Sequence, residues 1–384
     1  MKVARVLAIA RKEWREIVRD RLLVALAFLL PVLLMGVLGY GLTQDVDHIP
    51  LVIVDEDHTA ASRDYAQPFR SSRYFQFAGY VDRVDTAEQL LTAGKVRVAL
   101  VIGDRFEQEL HEGRPVAVQA LVDGTFITTA RVVSGYLDAI NAGGAVARTT
   151  ARVAGRLGVD ATRAETLVRP LRIDTRYLYN EDLRTIWAIA PSLVMTILLW
   201  TAPLLIALNV VREKERGSLA TFYASEATRL EFLLGKLAPC IAIAMVNSLV
   251  LWALATWYFA APFRGSPAAF LAGMTTFVLS ATTFGLLVAM WVRTQQAALL
   301  IVMLSGAIVG IHFSGMFEAV SSMPLMNRAI AHLMPAMYFN NVLQGTFLKG
   351  TGFRSTWRDI AITAVFAAGT FTVAYRTFHK RVAS

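Results

Sequence analysis

The stretch VREKERGSLATFYASEATRLEFLLGK, residues 211–236, separates two long apolar runs, Ile186–Val211 and Leu237–Ala260. Its charges are costly in hydrocarbon, so it reads as a short charged loop on one face of a membrane. Further uncharged runs occur at Leu22–Leu42, Ala268–Val292, Ala297–Phe313 and Ile360–Tyr375. Crossing roughly 30 Å of hydrocarbon takes ~17–25 residues at about 1.5 Å each. Four runs meet this easily. Ala297–Phe313 is at the lower limit, and Ile360–Tyr375 needs Thr377 and Phe378 to reach it. The composition, 55% hydrophobic and 17% charged, agrees. The fold class expected is an α-helical polytopic membrane protein with six transmembrane helices, plus an extracytoplasmic α/β domain.

Orientation follows from the basic residues beside the runs, because cytoplasmic segments are enriched in Lys and Arg. Lys2, Arg5, Arg11, Lys12, Arg15, Arg19 and Arg21 precede the first run, and Arg376, His379, Lys380 and Arg381 follow the last. The 212–236 loop and Arg293 are basic too. Six crossings put all four segments, and both termini, on the cytoplasmic side. Anionic headgroups on that leaflet account for the net charge of +9 without any nucleic acid. The apolar part of the first run is too long for a signal peptide and no A-x-A-like site follows, which reads as an uncleaved anchor.

Thr43–Arg184 then lies outside the cytoplasm. Pro50–Asp55, Tyr74–Val81, Val96–Ile102 and Val116–Val122 read as strands. Thr59–Phe69, Asp85–Ala93 and Arg105–Glu112 read as helices between them, and Phe126 to about Val168 as one or two helices forming a stalk. Cys240, the single cysteine, lies in a span, so this domain has no disulfide and depends on its own core. Asp45, Asp47 and His48, then Asp55, Glu56, Asp57 and His58, match no metal-ligand spacing and suit turn and cap positions. No metal site and no catalytic group is expected. The domain reads as a recognition or assembly module.

Before the first run, Leu7, Ala10, Trp14 and Ile17 recur at helical spacing among cations. Such a helix suits the headgroup layer, with Trp14 as anchor and Arg11, Lys12 and Arg15 facing lipid phosphate; a plain basic stop before a span fits equally. Within the spans the only ionisable residue expected is His312, which argues against coupling to a proton or sodium gradient. Thr276, Ser280 and Thr283 share one helical face, and Asn247 is another polar group in a span. They are candidates for a weakly polar substrate route, although helix packing explains them as well, as it does the Gly306–Gly310 pair. No G-x-x-x-x-G-K-[ST] occurs, so the chain is not expected to be an enzyme or to bind ATP in the P-loop manner.

The order of parts resembles the permease subunits of type-2 ABC exporters, in the branch with a large periplasmic domain between spans 1 and 2. Arg11–Lys12–Glu13 with Arg19–Asp20 is similar to that family's segment before span 1. LVIVDED at Leu51–Asp57 and Val122–Asp123–Gly124 are similar to its domain landmarks. Most specific is Arg212, Glu213, Lys214, Glu215, Arg216, Gly217 and Ser218 after Val211, followed by Glu231 and Gly235–Lys236. Phe313–Met316, Pro335–Phe339 and Gln344–Phe347 resemble its last outward segment. Where the family usually has a proline in the coupling loop, this chain reads Ser225–Glu226–Ala227.

The resemblance implies that 212–218 couples to cytoplasmic ABC ATPase subunits, which bind the ATP and Mg²⁺; no cofactor is implied for this chain. It implies a second permease subunit, identical or not, and export of hydrophobic or amphipathic, drug-like or lipid-like molecules. It implies a bacterial inner membrane, with a periplasmic adaptor as a further candidate partner beside the membrane lipids. The expected division is 1–21 as interfacial helix, 22–42 as the first span and 43–184 as the outer domain. Residues 185–384 then hold spans 2–6 with the coupling loop 212–236. The competing reading is a receptor or scaffold with a ligand-sensing outer domain. Six spans and the lack of a cytoplasmic output domain tell against it.

Overall fold

The computed structural model describes residues 2–42, 48–125, 127–168, 178–181, 184–217 and 227–378. They form two compact units: Met1–Thr43 with Arg176–Ser384, and Gln44–Thr175.

The first unit is helical. It opens with α1, Val3–Arg19. Next comes α2, composed of Arg21–Val24, a π-helical turn Ala25–Leu29, and Leu30–Gly41. Then follow α8, Thr185–Glu215, and α9, Arg229–Ala253 continued by the π turn Leu254–Tyr258. The bundle is completed by α10, Pro267–Trp291, α11, Gln295–His312, the short α12, Leu325–His332, α13, Pro335–Gln344, and α14, Phe353–Thr377.

Five of these, α8, α9, α10, α11 and α14, are long and apolar enough to cross a membrane. The apolar part of α2, Ala25–Gly41, falls short of that length, so length and composition give five candidate spans where six were expected. α8 is the centre of the bundle: 94% of its apolar window is buried, against 22% for α11 and α14. Small residues let neighbours approach it closely. Gly285 of α10 lies against the backbone of Pro203, and Gly306 and Gly310 of α11 lie against Trp200 and Thr196. The GxxxG pair thus serves packing within the chain.

The boundary expected for the charged loop is corrected. α8 runs on through Arg212–Glu215 and α9 starts at Arg229, so most of the loop's charges belong to helix ends. The charges find partners on neighbouring helices. Ser218 lies outside the described residues, as do Asp45, Asp47, Ser225 and Glu226.

The second unit holds a four-stranded sheet in the order β2-β1-β3-β4. Its strands are β1, Ile49–Asp55, β2, Phe75–Val81, β3, Val98–Ile102, and β4, Gln119–Val122. β1 pairs in parallel with β2 and β3, and β4 is antiparallel to β3. The helices are α3, Ala60–Arg70, α4, Val84–Thr92, α5, Phe106–Glu112, α6, Ile127–Leu157, and α7, Ala161–Val168. The period of two along β1 divides its side chains. Ile49, Leu51 and Ile53 pack with Tyr65, Phe69, Phe106 and Leu137 from α3, α5 and α6, while Val52 and Val54 pack with Ala87 of α4. Both faces are covered, as a largely parallel sheet requires.

The acidic cluster at the end of β1 does turn and cap work. Asp55 accepts from the backbone N–H of His58 at 3.1 Å and from the hydroxyl of Ser62 at 2.8 Å. Asp57 accepts from the Thr59 hydroxyl at 2.5 Å and from the N–H of Glu107 at 3.1 Å. Thr59 and Ser62 close a capping box on α3.

Candidate functional site

Residues of α1, the end of α8 and the start of α9 meet at one end of the helical unit. Lys236, two turns into α9, has a fully buried side chain. Its ammonium donates to Glu13 of α1 at 2.9 Å, to Glu213 of α8 at 2.8 Å and to Asn209 at 3.1 Å. Lys12 closes the other side of this ring, 3.2 Å from Glu13, 2.9 Å from Glu213 and 3.3 Å from Glu16. Two lysines thus alternate with two glutamates, joining α1, α8 and α9. Burial works against the charge of Lys12, but the Glu213 hydrogen bond and the attraction of Glu13 outweigh it and raise its pKa. The oxygens of Glu13, Glu16 and Glu213 lie close enough together to hold a cation, and the two ammonium groups take that role.

Each remaining charge of the motif binds a further helix. Arg212 pairs with Asp20, at the joint between α1 and α2. Lys214 donates to the carbonyls of Ala289, Met290 and Val292, which end α10. A cation there satisfies carbonyls left open by the helix terminus and opposes its dipole. Glu215 accepts from the backbone and side-chain amides of Gln295, at the start of α11. Arg216 and Gly217 are exposed, and Gly217 has φ 71, the left-handed conformation that glycine adopts without strain. A cavity of about 560 Å³ beside the ring is lined by Glu16, Arg19, Arg212 and Arg216 among others.

Gly235 and Glu231 complete the junction. A Cβ at Gly235 would stand 2.7 Å from Ile9 and 3.2 Å from the carbonyl of Val6, so glycine lets α1 lie on α9. Glu231 forms a capping box with Thr228 and accepts from the N–H of Lys2 at 2.6 Å. α1 is held along its length: at Lys2 by Glu231, at Glu13 by Lys236, at Asp20 by Arg212. Val3, Leu7, Trp14 and Val18 form its outer apolar stripe, with Arg11 and Arg15 exposed beside it. Lys12 is exposed as well, its ammonium reaching Glu13, Glu16 and Glu213 from the rim of the junction.

Lys236 stands in α9 immediately before the apolar run Leu237–Ala260, where carboxylates of α1 and α8 neutralise it. Sequence reasoning missed its partnership with Glu13 and the part played by Asn209. One signal was present: Glu13 stands four residues before Ile17, and these are the two buried residues of α1. A carboxylate on a buried face requires a counter-ion.

The candidate route residues are placed differently. Ser280 and Thr283 are buried within the bundle, and Thr283 bonds to the carbonyls of Leu279 and Ser280 and to the Thr370 hydroxyl. Thr276 bonds to the carbonyl of Gly273 and is partly exposed. Asn247 is buried and donates to the carbonyl of Ala27 in the π turn of α2. The landmarks near the C-terminus meet in a buried polar knot: Ser192 donates to Asn340 at 2.7 Å, Asn340 to the carbonyl of Ser314 at 3.1 Å, and Gln344 to Ser192 at 2.9 Å.

Comparison with known proteins agrees with this architecture. The family model described as ABC-2 family transporter protein matches residues 21–376. The protein named "Probable multidrug ABC transporter permease YbhS" of Escherichia coli K12 is 29% identical over 347 residues, covering 90% of this chain and 89% of its own. "Probable multidrug ABC transporter permease YbhR" of the same strain is 24% identical, covering 98% and 99%. "Linearmycin resistance permease protein LnrN" of Bacillus subtilis 168 is 23% identical, covering 90% and 91%. The match extends from the first apolar helix to the end of α14, and the chain belongs to the ABC-2 family of transporter permeases.

Proposed function

We propose that this chain is the membrane-spanning subunit of an ATP-driven exporter, powered by separate ATPase subunits that dock around residues 216–228. The charge clamp at the end of α8 carries the reading. Arg212, Glu213, Lys214 and Glu215 engage α1, α9, α10 and α11, so a push on the chain just beyond Glu215 reaches four other elements at once. In this reading those four residues are positioning residues inside the permease, and the exposed Arg216 and its successors meet the ATPase. The clamped end is cytoplasmic by its excess of basic residues. In this reading the whole of α2, Arg21–Gly41, makes a sixth crossing and the α/β unit is extracytoplasmic.

A second permease subunit completes the pathway. The outward apolar faces of α2, α11 and α14, with residues such as Val37, Leu300, Leu304 and Val365 exposed, suit lipid or such a partner. Hydrophobic or amphipathic cargo fits the names of the multidrug and linearmycin-resistance relatives. A periplasmic adaptor would have the α/β unit as its contact. The test is Arg216→Glu in the full chain co-expressed with its ATPase. Co-purification should fall roughly tenfold, the scale of one interfacial charge pair, while the fold stays intact. Wild-type co-purification and transport in that variant would refute the docking assignment.

A further inference from the structure

On the α/β unit a cleft of about 280 Å³ opens among α3, α5 and α6. Its floor is Tyr65 and Phe106, both buried, with ring centroids 5.3 Å apart. Leu110, Val116 and Val118 make one wall, and three arginines, Arg114, Arg148 and Arg152, stand around it. Among the described lining residues there is no Asp or Glu. Arg114 has a carboxylate outside the cleft, on Glu112.

The guanidinium of Arg148 lies over the Tyr65 ring, 5.2 Å from its centroid. It also lies 3.3 Å from where a Cβ on residue 144 would stand, so glycine at 144 leaves room for it. The Tyr65 hydroxyl is spent on Asn141, at 3.0 Å, which fixes the ring beneath the cation. Arg152 reaches the Leu110 carbonyl only at 3.5 Å. A guanidinium stacked on an aromatic face keeps its N–H edge for an anion. Cations grouped in a concave site without a carboxylate set up a positive potential that an anion relieves.

We propose that this cleft binds a small amphipathic anion. Its carboxylate, sulfonate or phosphate head lies on Arg148 and Arg152, and its hydrocarbon body on Leu110, Val116 and Val118. The volume, about 280 Å³, falls just below the range of ligand pockets, roughly 300–1,000 Å³, which selects a short body. The head can belong to a free amphiphile or to an anionic lipid. The site stands on its own geometry and does not depend on the transport reading.

The test uses the full chain in phosphatidylcholine nanodiscs and three photoreactive diazirine probes: decanoate, neutral decanol, and a phosphatidylglycerol labelled in its acyl chain. Decanoate or phosphatidylglycerol should label residues 106–118 or 141–152 roughly tenfold more than decanol does, the scale of a hydrogen bond to a charged group. Arg148→Gln with Arg152→Gln should lower that labelling by a similar factor. Octyl sulfate, and not octanol, should displace the label from the unaltered chain, a readout independent of any variant's folding. Labelling by decanoate identifies a free amphiphile as the source, and labelling by phosphatidylglycerol alone identifies a lipid. Equal labelling by decanol, no adduct in the cleft, undiminished labelling in the double variant, or no displacement by octyl sulfate would overturn the proposal.

Discussion

Replacing Lys236 with methionine preserves the stem of the side chain and removes its ammonium. Glu13, 1% exposed, then depends on Lys12, for which Glu213 and Glu16 also compete. Removing one partner of a buried ion pair costs about 3–5 kcal/mol, because the other charge stays desolvated. The chain supplies its own reporter. Cys240, the single cysteine, is one turn further along α9 and fully buried. A maleimide can modify it only after the end of the bundle opens, so the rate follows the free energy of local opening. At about 1.4 kcal/mol per factor of ten, Lys236→Met should speed modification roughly 100- to 4,000-fold. Adding Glu13→Gln removes the stranded carboxylate and should restore most of the protection. A single variant within about threefold of the unaltered chain would refute the clamp, since that range corresponds to less than ~1 kcal/mol. So would a double variant no better protected than the single one.

Gly235→Val should lever α1 off α9, because its Cβ would meet Ile9 at 2.7 Å; protease cleavage within residues 3–19 should appear while the spans stay inserted. In the α/β unit, hydrogen bonds from Thr125 and then Arg97 hold the Asp123 carboxyl down at about 2. A folded value below the unfolded one, ~3.9, gives stabilisation that is complete above about pH 4 and lost as pH falls towards 2. Asp123→Asn should lack that loss, as measured by peptic cleavage of β3 and β4 between about pH 5 and pH 2. Thr283→Leu should destabilise the bundle by ~1–3 kcal/mol through overpacking, whereas Thr276→Leu, at a partly exposed site, should cost little. If Thr276→Leu alone impairs export in reconstituted vesicles, that face lines the route; unchanged export would assign it to packing.

The α/β unit was the most legible part of the chain. Alternating apolar residues and glycine punctuation located all four strands to within three residues, because a sheet's period is local in sequence. Apolar length located the spans but not their ends. Charged residues at 212–215 and 229–236 extend the helices, since Lys214 and Glu215 are satisfied by neighbouring helix termini. The clamp was largely invisible. Glu13 and Lys236 stood out as parts of two separate segments, before the first span and in the coupling loop, and nothing local joins them. The polar face Thr276–Ser280–Thr283 was visible as a pattern, yet helical spacing cannot tell a route from a packed seam, and burial divides its members.

The distance between Glu13 and Lys236, 223 residues along the chain, has a consequence for biogenesis. α1 is synthesised first, whereas the lysine that neutralises its buried carboxylate emerges roughly 10–45 s later at ordinary elongation rates. Throughout that interval the nascent α1 has no bundle to lie on. Until α9 arrives Glu13 stays solvated, and the stripe of Val3, Leu7, Trp14 and Val18 is exposed then as it is in the finished fold. Final docking of α1 is then a late step of maturation, and a chain truncated before α9 would expose an unsecured N-terminal helix to quality-control proteases.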